Sequence, residues 1–115
     1  MNTQVRGQRA ENDARLHLEK QGFHLIEKNF RSKAGEIDLI MAKGSLLIFV
    51  EVRLRTRSDY GSGAESVTRQ KQHRLIRTAS FFLQSRRDPE WESFRFDVVA
   101  IEKEIDWIPG AFSLD

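Results

Sequence analysis

Gly35-Glu36-Ile37-Asp38-Leu39-Ile40 is followed a few residues later by Leu47-Ile48-Phe49-Val50-Glu51-Val52-Arg53, and the rest of the chain arranges itself around these two runs. Both runs are built largely from Ile, Leu, Val and Phe, which suit a pleated, buried surface, and Lys43-Gly44 lies between them as a turn. The pair predicts an antiparallel hairpin. Successive strand residues point to opposite faces, so the first run places Glu36, Asp38 and Ile40 on one face. The second places Phe49, Glu51 and Arg53 on one face and Ile48, Val50 and Val52 on the other. If Lys43 and Gly44 alone form the loop, Ala42 pairs with Ser45, Asp38 faces Phe49 and Glu36 faces Glu51. A loop longer by one residue at each end keeps the same faces together. Asp38 and Glu51 are then expected directly opposite, with Cβ atoms roughly 5 Å apart, or on a diagonal at roughly 7–8 Å.

Two like charges that close, on otherwise apolar strands, destabilise a fold unless something positive sits between them. A hard divalent cation is one candidate and Arg53 is another. The cation reading has the shape of a nuclease site. The plain alternative is a pair of solvated acids near strand ends, with Glu51 and Arg53 forming a surface ion pair worth little. The run from Leu46 to Val52 favours the first reading. It contains nothing polar until Glu51, as in a central strand buried on both faces, and a carboxylate near the end of such a strand needs a partner.

With 115 residues the chain suits a single domain over residues 1–115, long enough for one core. Hydrophobic residues at 39% and charged residues at 31% fit a folded, soluble chain rather than a disordered one. The absence of cysteine excludes disulfides, thiolate metal sites and a cysteine nucleophile. No apolar stretch follows Met1–Arg6 and no run reaches membrane-spanning length, so a cytoplasmic location is expected. Lys and Arg number 19 against 17 Asp and Glu, a net charge of +2. Their placement says more than their sum. Arg53, Arg55, Arg57, Arg69, Lys71, Arg74 and Arg77 fall in one stretch interrupted only by Asp59 and Glu65. A basic surface beside a carboxylate pair suits a polyanion held near a cation; the alternative is a solvated loop and the outer face of a helix.

Ala10, Ala14 and Leu18 at four-residue spacing predict a helix from Thr3 to about Gln21, stopped by Gly22. Glu11 lies on the flank of that apolar face, as a boundary residue or as an acid aimed at a site. Phe23 to Phe30 reads as a strand preceding the hairpin, and Ser58–Ser66 as a polar loop. A second helix, capped by Ser66 or Thr68, carries the stripe Leu75, Ile76, Ala79, Phe82 and Leu83 to about Arg86-Arg87, before Asp88-Pro89 breaks it. Lys71 and Gln72 begin that stripe and are expected to face the sheet. Phe94–Ile101 is a further strand and Ile105–Ile108 a short last one. The order is helix, three strands, helix, two strands: α/β, one mixed sheet with helices against it.

That order and these residues resemble the YraN family, small bacterial proteins related to the restriction-endonuclease-like PD-(D/E)XK nucleases and to archaeal Holliday-junction resolvases. The resemblance rests on Gly7, Glu11 and Ala14, on Gly35–Ile40, on Phe49–Arg55, and on Ser66, Val67 and Lys71. It continues through Arg95-Phe96-Asp97-Val98-Val99 and Trp107–Phe112, covering nearly the whole chain. It implies a restriction-endonuclease-like α-β-β-β-α-β-β core and an endonuclease-like, Mg²⁺- or Mn²⁺-dependent phosphodiesterase acting on DNA, branched or otherwise structured. Carried over residue by residue, Asp38 and Glu51 would be metal ligands. The Val52 main-chain carbonyl would be a third and Glu11 the helix acid that completes the site. The cation would polarise a phosphoryl oxygen and activate water.

Arg53 departs from the superfamily pattern, which has lysine there. Arginine stays protonated at any working pH and cannot help remove a proton from water. It can still clamp a phosphate and stabilise charge on it, and Lys71 would supply part of the missing role. Two rivals to a nuclease follow. One is a binding module that holds nucleic acid through Arg53, Arg55, Arg57 and Lys71 without cutting. The other is a small protein-binding adaptor. Metal binding separates the nuclease from both, and salt-dependent DNA affinity separates the two rivals. Resolvase-like relatives act as dimers, so the resemblance allows a homodimer, with Trp91, Phe94 and Trp107 available for an interface or for the core.

Overall fold

A computed structural model describes residues 3–54, 67–86 and 91–113, with side chains from residue 7 onward. Helix α1 (Thr3–Lys20) precedes strands β1 (His24–Arg31), β2 (Glu36–Lys43) and β3 (Leu46–Leu54). Helix α2 (Arg69–Ser85) follows, then strands β4 (Ser93–Ile101) and β5 (Ile105–Phe112). The strands form one sheet in chain order. All neighbours are antiparallel except β3 and β4, which run parallel because a crossover through α2 separates them. This is the mixed α-β-β-β-α-β-β arrangement expected, consistent with the restriction-endonuclease-like fold.

β3 lies in the middle, and its alternation builds two cores. Leu47 and Phe49 join Ile40, Leu75, Ala79, Phe82 and Val98 on the α2 side. Ile48 and Val50 join Ala14, Leu18, Leu39, Met41 and Val99 on the α1 side. The stripe of α1 is therefore as narrow as Ala10, Ala14 and Leu18 suggested, and all three are buried. Phe82 centres the other core, edge-on to Phe30 and Phe49 at 5.3 and 6.1 Å. Thr68, rather than a residue further back, caps α2 by accepting the Lys71 amide at 3.1 Å. No helix of the described residues is long and apolar enough to cross a membrane.

Two expectations need correction. The hairpin turn falls at Gly44-Ser45, one residue later than Lys43-Gly44, because Lys43 pairs with Leu46 and Ala42 with Leu47. Gly44 has φ +58°, and glycine at the first central position of a two-residue hairpin loop is what a type II′ turn favours. Lys43 stays in the ladder, and its ammonium donates to the Gln21 carbonyl at 2.9 Å. The ladder has Leu39 opposite Val50 and Ile40 opposite Phe49; continued by one residue, it sets Asp38 against Glu51 rather than Phe49.

The last strand is also longer than Ile105–Ile108, running through Pro109 and Gly110 to Phe112. Proline is tolerated because β5 is an edge strand, and the ladder slips between Phe96 and Val98, which leaves room for a bulge. Asp97, wholly buried, holds the bulge closed. It accepts two hydrogen bonds from Arg95 at 2.8 and 2.9 Å, one from Trp107 Nε1 at 2.9 Å and one from the Gly110 amide at 2.9 Å. Trp107 and Trp91 are accordingly half-buried packing residues; Phe94 alone of the three aromatics is exposed.

Candidate active site

Regular alternation fails where the site begins. Ile37 packs in the core on the α2 side and Leu39 in the core on the α1 side, although residues two apart in a strand share a face. The chain turns over at Asp38. The same happens on the neighbouring strand, where Lys28 pairs with Leu39 and Phe30 with Ile37, and Asn29 lies between them opposite Asp38. Asn29 has φ +53°, the left-handed region, and is the one described residue other than glycine found there. Asparagine tolerates that conformation better than most side chains. Asp38 is thereby turned toward the end of the sheet, where one of its oxygens accepts the Val52 amide of β3 at 2.8 Å.

Glu51 reaches the same place from β3. Only 4% of its surface is exposed, and Lys71 Nζ, from the first turn of α2, lies 2.6 Å from its Oε2. Asp38 and Glu51 meet within hydrogen-bonding reach. Burial, then the hydrogen bond to Glu51 and the charge on it, push the Asp38 pKa up to about 9. The charge of Glu11 adds a smaller push, and the Val52 amide pulls the other way. At neutral pH and without metal, Asp38 therefore keeps its proton. Gly35, Glu36, Arg74 and Leu75 complete a cavity of about 240 Å³ around Asp38, Glu51 and Lys71.

Glu11 approaches from α1 through Asn29, whose side-chain amide donates to Glu11 Oε1 at 3.0 Å and to Glu36 Oε1 at 3.1 Å. One amide thus ties the helix acid to the sheet. Val52 spends its N–H on Asp38, and a strand residue directs its N–H and C=O to the same edge, so its carbonyl faces Asp38 as well. Arg53 follows half-buried on the same strand, paired in register with Ala100. Arg55 and Arg57 lie outside the described residues, as do Ser66 and the loop before it. Sequence reading missed two residues here. Asn29 left no signal, because left-handed asparagine in a strand has no pattern of its own. Glu36 was placed on one face with Asp38 and Ile40 and given no role; the turnover at Asp38, which sets Ile37 in the same core as Ile40, undoes that shared face.

The donor set suits a hard cation. Asp38, Glu51 and the Val52 carbonyl offer oxygen alone, and two carboxyl groups held in contact are the arrangement a divalent ion neutralises. Among the described residues no three acidic or histidine side chains converge as a ready-made cage. Magnesium is commonly held by one or two carboxylates plus substrate phosphate and water, so two suffice.

Known proteins place the chain in a family. The profile described as "Uncharacterised protein family UPF0102" matches residues 10–101. A UPF0102 protein of Herminiimonas arsenicoxydans is 50% identical over 109 residues, covering 94% of this chain and 86% of that one. One from Halorhodospira halophila is 50% identical over 108 residues, covering 93% and 86%. One from Coxiella burnetii is 47% identical over 115 residues, covering 98% and 96%. The match spans the Glu11 helix, the Asp38 and Glu51 strands and the Asp97 strand together, and the chain belongs to the UPF0102 family, the YraN family of the resemblance.

Proposed function

We propose that this protein is a metal-dependent nuclease hydrolysing phosphodiester bonds in DNA, branched or structured DNA in particular, and acting in the cytoplasm. The observation that carries the reading is the buried contact between Asp38 and Glu51, with Lys71 on Glu51 and an open cavity beside them. A fold gains nothing from forcing two carboxylates together in a partly dry pocket, and perturbed acids in a cleft mark functional sites. Asp38 and Glu51 would hold Mg²⁺ or Mn²⁺, with the Val52 carbonyl as a third oxygen and Glu11 in reserve behind Asn29. A cation there supplies Lewis-acid polarisation of the phosphate and activation of water.

The chain's own groups do the rest. Lys71 balances the charge of Glu51 and presents an ammonium to the cavity. Arg74, lining the same cavity, and Arg53, Arg55 and Arg57 from the end of β3 onward give the polyanion its counter-charges. Arg53 cannot serve as a base, so the part that lysine plays there in the superfamily pattern would fall to Lys71.

A cleavage screen over single-stranded, duplex, flap and four-way DNA, each with Mg²⁺ or Mn²⁺, tests the reading. Nicked or resolved products with a structured substrate are expected. The arginine at position 53 favours a second reading, in which the protein binds DNA without cutting it. Salt-dependent binding with no cleavage under either metal would select that reading.

A further inference from the structure

A second cavity of about 240 Å³ opens on the other side of Asn29, between α1 and β1. Gln8, Glu11, Asn12 and Arg15 line it from α1, Lys28 and Asn29 from β1, and Leu39 forms part of its wall. Its walls hold two cations. Arg15 lies four residues after Glu11, the spacing at which opposite charges on a helix pair, yet among the described residues they form no ion pair. Glu11 instead accepts from Asn29. Arg15 Nε is shut off from solvent and has no hydrogen-bond partner. Among the described residues Lys28 makes no ion pair either. A buried, unpaired donor on a charged group is costly, and a structure keeps one where a ligand completes it.

We infer that this cavity is a phosphate subsite, in which Arg15 and Lys28 hold a backbone phosphate of the nucleic-acid strand whose scissile phosphate lies at Asp38 and Glu51. The two cavities are separated by the width of one amide, since the Asn29 side chain touches Glu11 in one and Glu36 in the other. A phosphate oxygen satisfies the Arg15 donor, and Gln8 and Asn12 add neutral amide donors at the rim. Glu11, the one acid in the lining, has its Oε1 engaged by the Asn29 amide. Contacts of this kind position a strand without reading its bases.

The subsite rests on the nuclease reading but is tested without cleavage. Affinity for a single-stranded oligonucleotide is measured in EDTA across a salt series, for wild type, Arg15→Met and Lys28→Met. Each substitution should weaken binding at low salt by roughly tenfold and reduce the slope of log affinity against log salt by about one contact. Arg15→Met should leave the melting temperature unchanged or raised, since it removes an unpaired buried donor; a purely structural arginine would lower it. In wild type, the Arg15 Nε–H nuclear magnetic resonance signal should shift as oligonucleotide is added. Unchanged affinity and slope in both variants, or a wild type that binds no oligonucleotide, overturns the subsite. Arg15-dependent binding accompanied by no cleavage under any metal supports the subsite and overturns only the nuclease reading.

Discussion

Asp38 keeps a proton that an ordinary aspartate loses near pH 3.8, because burial and Glu51 both oppose its charge. Over the window from about pH 4 to about pH 9 the metal-free native state binds a proton that the unfolded chain releases. Stability must therefore fall as pH rises through that window, and the contribution of the protonated Asp38 is gone above about pH 9. Asp38→Asn removes the titration while its amide oxygen can still accept the Val52 N–H. In thermal melts in EDTA the variant should match wild type near pH 4 and exceed it increasingly toward pH 9. Each kcal/mol corresponds to about 4–8 °C for a domain of this size. Parallel curves for the two proteins would show that Asp38 is not strained.

Lys71 offers a complementary test. Lys71→Met leaves Glu51 buried without its counter-charge, and urea unfolding should register a loss of about 1–3 kcal/mol at pH 7. The lower half is favoured because Lys71 is itself 40% exposed. Arg53 tests catalysis instead. If it clamps phosphate, Arg53→Lys should keep or raise the cleavage rate, and Arg53→Ala should lose both binding and rate. Wild-type cleavage abolished by Arg53→Lys would assign arginine a role that lysine cannot fill. Asp38 and Glu51 were legible in the sequence because period-two alternation survives in β3 and places an acid where only apolar residues belong. The turnover of the chain at Asp38 was not legible, since it depends on Asn29, a residue in the next strand with a backbone angle that composition does not encode.

At the scale of elements, the hairpin of β4 and β5 is organised by one carboxylate. Asp97 is fully buried with four donors on it, two of them from Arg95, whose own pKa is raised by that bond. Asp97→Asn replaces a charge matched to the guanidinium by a neutral amide whose NH₂ faces donors. The predicted cost is about 3–5 kcal/mol, read by urea unfolding, with tryptophan emission reporting release of Trp107. A loss below about 1 kcal/mol would show that the bulge holds without Asp97. Helix periodicity and strand order were plain from the spacing of apolar residues. The extent of β5 was not, because Pro109 and Gly110 read as a terminator, and only an edge position with a buried acid behind it lets the strand continue.

At the scale of the molecule, one sheet brings a helix acid, two strand acids and a helix lysine from four separate elements to one end of its strands. The sheet's two faces are sealed by apolar cores, which leaves the end as the place where charge collects. On the proposed nuclease reading a single such site would cut one strand, so resolution of a four-way DNA would require two copies of the chain. A metal site at Asp38 and Glu51 is tested by cleavage of the preferred substrate from the screen, under single-turnover conditions, by wild type, Asp38→Asn and Glu51→Gln. It is run in Mg²⁺, Mn²⁺ and EDTA after each variant is shown to be folded. Metal-dependent cleavage by wild type is expected, with none in EDTA and at least a hundredfold loss in both variants, about 2.7 kcal/mol of transition-state stabilisation. Cleavage by Asp38→Asn at the wild-type rate would contradict it, as would cleavage by wild type that persists in EDTA.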